Sequence, residues 1–144
     1  MKKNHGLSFF IPKKETGLDA ILINTGISAR FPSPAGDYKQ ERISLDKELI
    51  KNQEATFFAR VSGESMVNAG LEDGDLIIID RSIEPSNNKI AVCFIEGEFT
   101  VKRLIVKRNK IWLKPENSSY KPIEVKDDDQ LIIWGIVTNV IKKL

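Results

Sequence analysis

Four consecutive large aliphatic residues, Leu76-Ile77-Ile78-Ile79, stand between two turn signals, Asp73-Gly74 and Asp80-Arg81. A run this short cannot be an amphipathic helix. An apolar run without alternation, closed at both ends by turn residues, is the pattern of a strand buried on both faces. The residues around it carry related signals. Thr56 to Val61 is β-branched and aromatic, as strands prefer. Lys89 to Glu96 and Glu98 to Val106 read as two strands joined at Gly97, a hairpin. Asn109 to Lys114 and Gln130 to Val140 add two more, and only Ile43 to Lys51, with Leu45, Leu49 and Ile50 near helical spacing, suggests a short helix. The expectation is a mostly β domain of about seven strands, a folded sheet or a partly open barrel, over residues 41–144.

The chain changes character near residue 40. Before it come Pro12, Gly17, Gly26, Pro32, Pro34 and Gly36, with two short apolar stretches, Leu7 to Ile11 and Leu18 to Ile23, that show no clear periodicity. Phe31 to Tyr38 reads as extended, because each proline biases its predecessor away from helix. Residues 1–40 are therefore read as an extended N-terminal arm rather than a second domain.

Composition narrows the chemistry. Net charge is +2, with 22 basic and 20 acidic residues, which is no footprint of a nucleic-acid-binding protein; Lys107-Arg108-Asn109-Lys110 reads as a solvated hairpin turn. One cysteine, Cys93, excludes an internal disulfide and suits a reducing compartment. Leu7 to Ile11 is too short for a signal-peptide core, and no run approaches a membrane span, so the expected location is the cytoplasm. One His and one Cys, far apart, cannot supply a transition-metal cluster, and Asp127-Asp128-Asp129 lacks the alternating ligands and glycine of a calcium loop. No phosphate-binding or dinucleotide fingerprint is present. No cofactor is implied.

A serine nucleophile in this chain needs a base other than histidine, since the only one, His5, lies in the irregular arm. Lysine is the alternative. Ser65 follows a strand within Val61-Ser62-Gly63-Glu64-Ser65-Met66, where Gly63 permits a tight turn that could leave backbone N–H groups free for an oxyanion; the bland reading is a turn serine. Lys102 shares a strand face with Thr100, Leu104 and Val106. Apolar surroundings would lower its pKa and make it a base; the bland reading is a lysine that snorkels to water. Cys93, within Ile90 to Ile95, reads as a small core residue. Pattern alone does not pair Ser65 with Lys102.

The ordered set Val61-Ser62-Gly63-Glu64-Ser65-Met66, Asp73-Gly74-Asp75-Leu76, Gly97-Glu98-Phe99-Thr100-Val101-Lys102, Pro115 to Tyr120 and Trp134-Gly135-Ile136-Val137 resembles the UmuD/LexA family of self-cleaving serine–lysine proteins, peptidase S24-like, and is closest to its UmuD branch. The likeness covers roughly residues 28–144, including Phe31-Pro32-Ser33-Pro34-Ala35 and Asp37-Tyr38, and the 37-residue spacing from Ser65 to Lys102 fits it. It implies a LexA/signal-peptidase-like fold, Ser65 as nucleophile, Lys102 as general base, and the backbone N–H groups of Glu64 and Ser65 as oxyanion donors. The scissile bond implied is Ala29–Arg30, with Arg30 departing from the family's usual glycine; Ala35–Gly36 is the second choice, matching the LexA relatives.

The resemblance further implies a homodimer whose self-cleavage is stimulated by a RecA–single-stranded-DNA filament and whose trimmed form joins a UmuC-type polymerase in error-prone translesion synthesis during the SOS response. It implies neither a membrane nor direct sequence-specific DNA binding. The alternatives are a LexA-like or phage-type repressor, for which residues 1–28 are too few to hold a helix-turn-helix domain; a non-proteolytic dimeric adaptor, against which the retention of both Ser65 and Lys102 argues; and a signal-peptidase-like enzyme, which would carry a membrane anchor.

Overall fold

The strongest of the expected strands, the aliphatic run after Gly74, is β5 (Leu76–Asp80), and Ile77, Ile78 and Ile79 are each at most 2 % exposed. Consecutive strand residues point to opposite faces, so three buried in a row require cover on both. The computed structural model describes residues 7–12, 20–23, 40–127 and 129–144. The chain divides into two units, residues 13–51 and residues 1–12 with 52–144.

The larger unit is built on one antiparallel sheet of eight strands. Its members are β1 (Ser8–Phe10), β4 (Thr56–Arg60), β5, β6 (Ile90–Ile95), β7 (Glu98–Lys107), β8 (Lys110–Lys114), β9 (Ile123–Val125) and β10 (Ile132–Ile141). The order is β1-β4-β5-β10-β6-β7-β8-β9, so the sheet is not closed: β1 and β9 are its edges. The smaller unit holds the antiparallel pair β2 (Ala20–Ile23) and β3 (Gln40–Ile43), followed by the short helix α1 (Leu45–Leu49).

Two hairpins hold the centre in register. Glu96 and Gly97 between β6 and β7, and Arg108 and Asn109 between β7 and β8, all have positive φ. Two-residue loops with both residues left-handed match the twist of the flanking strands. The basic turn at 107–110 is thus a hairpin, as its residues suggest. β10 enters between β5 and β6, with register shifts at Ile133/Gly135 and Val137/Asn139.

The apolar residues form two clusters. One gathers Ala59, Val61, Met66, Leu71, Ile77, Ile79, Val92 and Val101, with Phe9, Phe99 and Trp134 packed on it. The other gathers Ala91, Cys93, Leu104, Leu113 and Ile136. Cys93 is wholly buried and its thiol is pushed up to about 12 by that burial.

Four strands were not anticipated. β1 and β2 fall within the apolar stretches Leu7 to Ile11 and Leu18 to Ile23 of the expected arm, β3 runs from the end of that arm into Ile43, where the helix was expected to begin, and β9 lies between Lys121-Pro122 and Lys126. Each has three or four residues and takes its conformation from the ladder of its neighbour. The stretch Phe31 to Tyr38 lies outside the described residues.

Candidate functional site

The loop from Val61 to Asp75 joins β4 to β5 and is tied at its base. Val61 N–H donates to Asp75 O and Gly74 N–H to Val61 O, each at 2.8 Å. Gly63 has φ +99°, a conformation open to glycine and strained for other residues. Its N–H donates to Asp73 Oδ1 at 2.9 Å. From that turn the chain passes Glu64 and Ser65 into a short 3₁₀ turn, Val67–Ala69.

Met66 anchors the loop from below. It is 3 % exposed, and its sulfur accepts the N–H of Glu116 at 3.3 Å. Asn117 Nδ2 donates to Glu64 O at 2.7 Å, and Asn68 N–H donates to Glu116 O at 2.7 Å. Glu116 is itself held by an ion pair with Arg103. The Pro115 to Tyr120 segment therefore braces the serine loop from the side.

Lys102 comes from the middle of β7, opposite Ala91 of β6. It is 8 % exposed. Its Nζ lies 3.0 Å from Ser65 Oγ, 2.6 Å from Thr100 Oγ1 and 3.0 Å from the carbonyl of Val101. Burial disfavours the ammonium and lowers the Lys102 pKa below its ordinary 10.5. A neutral amine has two N–H donors and one lone pair. Thr100 and Val101 take the two donors, which leaves the lone pair for the Ser65 hydroxyl proton. The ammonium would instead spend its third proton on Ser65 Oγ and leave no acceptor there.

Thr100 is the site residue that sequence reasoning passed over. It was noted only as a neighbour of Lys102 on one strand face, and the i, i+2 spacing was the available signal. Phe99, beside it, is fixed by rings of Phe9, Phe94 and Trp134 at 5.0, 4.9 and 6.0 Å between centroids. These contacts hold the start of β7, and with it the threonine and lysine.

The two side chains open into a groove of about 410 Å³ lined by residues 61–66, residues 98–102, Leu7 and Tyr120. The N–H groups of Glu64 and Ser65 donate to no backbone acceptor among the described residues. The structure brings Ser65, Lys102 and the Glu64 and Ser65 backbone into one place. Ala29, Arg30, Ala35 and Gly36 lie outside the described residues. Among the described residues there is also no group of three or more His, Cys, Asp or Glu side chains able to hold a metal, and no helix is long and apolar enough to cross a membrane.

Residues 21–138 match the family model described as peptidase S24-like. The chain is similar to the protein MucA of Salmonella typhimurium, 40 % identical over 114 residues, covering 78 % of this chain and 77 % of MucA. It is similar to SamA of Salmonella typhimurium strain LT2, 42 % identical over 124 residues and 86 % of each chain. It is also similar to the LexA repressor of Clostridium kluyveri, 39 % identical over 115 residues, covering 80 % of this chain and 56 % of the repressor.

Proposed function

This chain belongs to the peptidase S24-like family and to its UmuD branch, and from that premise we propose that it is a serine endopeptidase that cuts its own N-terminal segment at Ala29–Arg30. The observation that carries the reading is the 3.0 Å approach of a buried lysine amine to Ser65 Oγ, with the amine's other donors already engaged.

Neutral Lys102 takes the Ser65 hydroxyl proton as Oγ attacks the Ala29 carbonyl carbon. The N–H groups of Glu64 and Ser65 receive the oxyanion. The lysine ammonium then returns its proton to the departing Arg30 nitrogen, and the C–N bond breaks. Water, deprotonated by the same amine, attacks the acyl carbon and frees Ser65. Covalent attachment gives the segment a high effective concentration, so modest chemistry suffices. In this reading residues 1–40 serve as the arm that carries the cleavage site, on a peptidase domain of residues 41–144.

The wider role follows the UmuD branch: a cytoplasmic homodimer, cut under stimulation by a RecA filament on single-stranded DNA during the SOS response, which then serves a UmuC-type translesion polymerase. The similarity to MucA and SamA over most of their lengths supports this over a repressor role.

The test is mass spectrometry of purified protein incubated at alkaline pH, beside Ser65→Ala and Lys102→Ala. A new N-terminus at Arg30, absent from both variants, is expected. A cut at Gly36 would move the register to that of the LexA relatives. No cut, even with RecA, ATP and single-stranded DNA, would leave a non-proteolytic adaptor as the better reading.

A further inference from the structure

One surface has no part in the proposed reaction. In the β7–β8 hairpin, Arg103 stands opposite Lys114, Ile105 opposite Trp112, and Lys107 opposite Lys110. Alternation puts all six on one face of the ribbon. The other face carries Leu104 and Leu113, which are buried in the second apolar cluster.

Like charges directly opposite one another destabilise a sheet, yet this face has two such pairs. Arg103 is met by Glu116, and Lys110 by Glu124 at 3.3 Å. Lys107 and Lys114 are exposed and have no anionic partner among the described residues. Between them lies a groove of about 590 Å³ lined by Ile105, Trp112, Pro122, Asn87 and Asn88 as well as the two lysines.

We propose that this groove binds single-stranded nucleic acid without sequence preference, with a base stacked on Trp112 and phosphates held by Lys107 and Lys114. Every nucleobase has a face to stack on an aromatic ring, and flanking cations track the backbone. An acidic peptide would satisfy the charges equally. A peptide laid along a sheet, however, gains its affinity from an open strand edge; the open edge on this side is β9, one strand beyond the two that carry Trp112 and the lysines. β8 is paired on both sides, by β7 and β9. The far half of β7 is closed by Asn87, Asn88 and Lys89: Leu104 N–H donates to Lys89 O, Asn88 N–H to Leu104 O, and Val106 N–H to Asn87 Oδ1, each at 2.8 Å. What β7 and β8 offer in the groove is one aromatic plane between two cations, while the carboxylate of Glu124, opposite Trp112, is engaged by Lys110. The small net charge does not oppose this, because it is the local excess that a polyanion meets.

The test is anisotropy of a dye-labelled oligothymidylate titrated with the full chain across a salt series. Binding is expected, weakened about tenfold by Trp112→Leu, the loss of one stacked base. Lys107→Gln with Lys114→Gln should lower the log–log salt slope by about 1.4, for two phosphate contacts. The lysine positions are exposed, so this variant folds as the parent does and its melting temperature serves as the control. No binding at low salt would overturn the proposal, as would binding indifferent to both variants. Displacement by polyglutamate as effective as by unlabelled oligonucleotide, with Trp112→Leu neutral, would overturn it in favour of an acidic protein segment. None of these outcomes depends on whether the chain cuts itself.

Discussion

Replacing Lys102 by Met, in a Ser65→Ala background that keeps the chain whole, isolates the energetic consequence of burying an amine at the centre of the sheet. Methionine matches the length of the lysine stem and carries no proton. The Lys102 pKa is lowered from 10.5 by burial. The unfolded chain therefore holds this proton up to 10.5, whereas the folded chain releases it earlier. Between the folded pKa and 10.5 the unfolded state binds more protons, and stability of the lysine protein rises with pH relative to the methionine protein. The slope of the difference is at most about 1.4 kcal/mol per pH unit, for one proton. Below the folded pKa the difference is constant, and the lysine protein then carries the whole burial penalty, about 1.4 kcal/mol for each unit of lowering.

Cys93 adds an opposing trend, since its raised pKa costs stability from its ordinary 9.0 up to about 12; because the thiol and the Lys102 amine interact, both proteins also carry Cys93→Ala, which removes that trend from the difference. Urea unfolding of the two proteins at matched pH values, from neutral to just above 10.5, measures the difference directly. A flat difference, or one that moves against the lysine protein as pH rises, would refute the claim that the folded site favours the neutral amine.

Three further outcomes follow from named contacts. Thr100→Val removes an acceptor of the Lys102 amine while keeping the shape of the side chain; self-cleavage should slow about tenfold, corresponding to about 1.4 kcal/mol, measured as the rate of product formation, with the melting temperature little changed. Gly135→Ala places a Cβ 2.5 Å from Ile79 Cγ2 and 3.2 Å from Arg81 Cγ; Ile79 is wholly buried and cannot yield freely, so a loss of about 1–3 kcal/mol is expected in urea unfolding.

Asp75→Asn tests the acid side. Burial pushes the Asp75 carboxyl up, but hydrogen bonds from Lys142 and from the N–H of Glu72 outweigh it and hold the pKa below 3.8. That stability is full above 3.8 and disappears as pH falls through the folded pKa. The variant should lose about 1.5–3 kcal/mol at neutral pH and lack this share of the acid transition, read by unfolding at pH values on either side of 3.8.

The sequence carried β5, the two central hairpins and the short helix because their signals are local: an aliphatic run between turn residues, Gly97 after Glu96, and a basic turn that two left-handed residues can close. β1, β2, β3 and β9 have no such signal. Strands of three or four residues are stabilised by the partner they pair with, and that partner is distant in sequence for β1 and β4. The insertion of β10 between β5 and β6 is likewise a non-local fact.

At the site, composition could reduce the bases to lysine, and alternation could place Lys102 among apolar neighbours. The meeting of Ser65 with Lys102 rested on the family motif, because 37 residues of chain separate them. Thr100 was visible but had no assigned task, since nothing in a sequence shows which protons an amine has already given away.

β1 lines one edge of the sheet, and its residues precede the bond that the proposed reaction breaks. Before the cut, Ser8, Phe9 and Phe10 occupy the outer side of β4, and Phe9 is wedged against Phe99 and Trp134. After it, among the described residues, the severed piece is held by that three-residue ladder, by Leu7 and Phe9 packed on the core, and by the four-residue ladder of β2 on β3. If it departs, the sheet has seven strands, and β4 presents a fresh row of unsatisfied amides and carbonyls to whatever chain comes next. A single hydrolysis would then do more than shorten the molecule: it would turn a capped margin into an adhesive one.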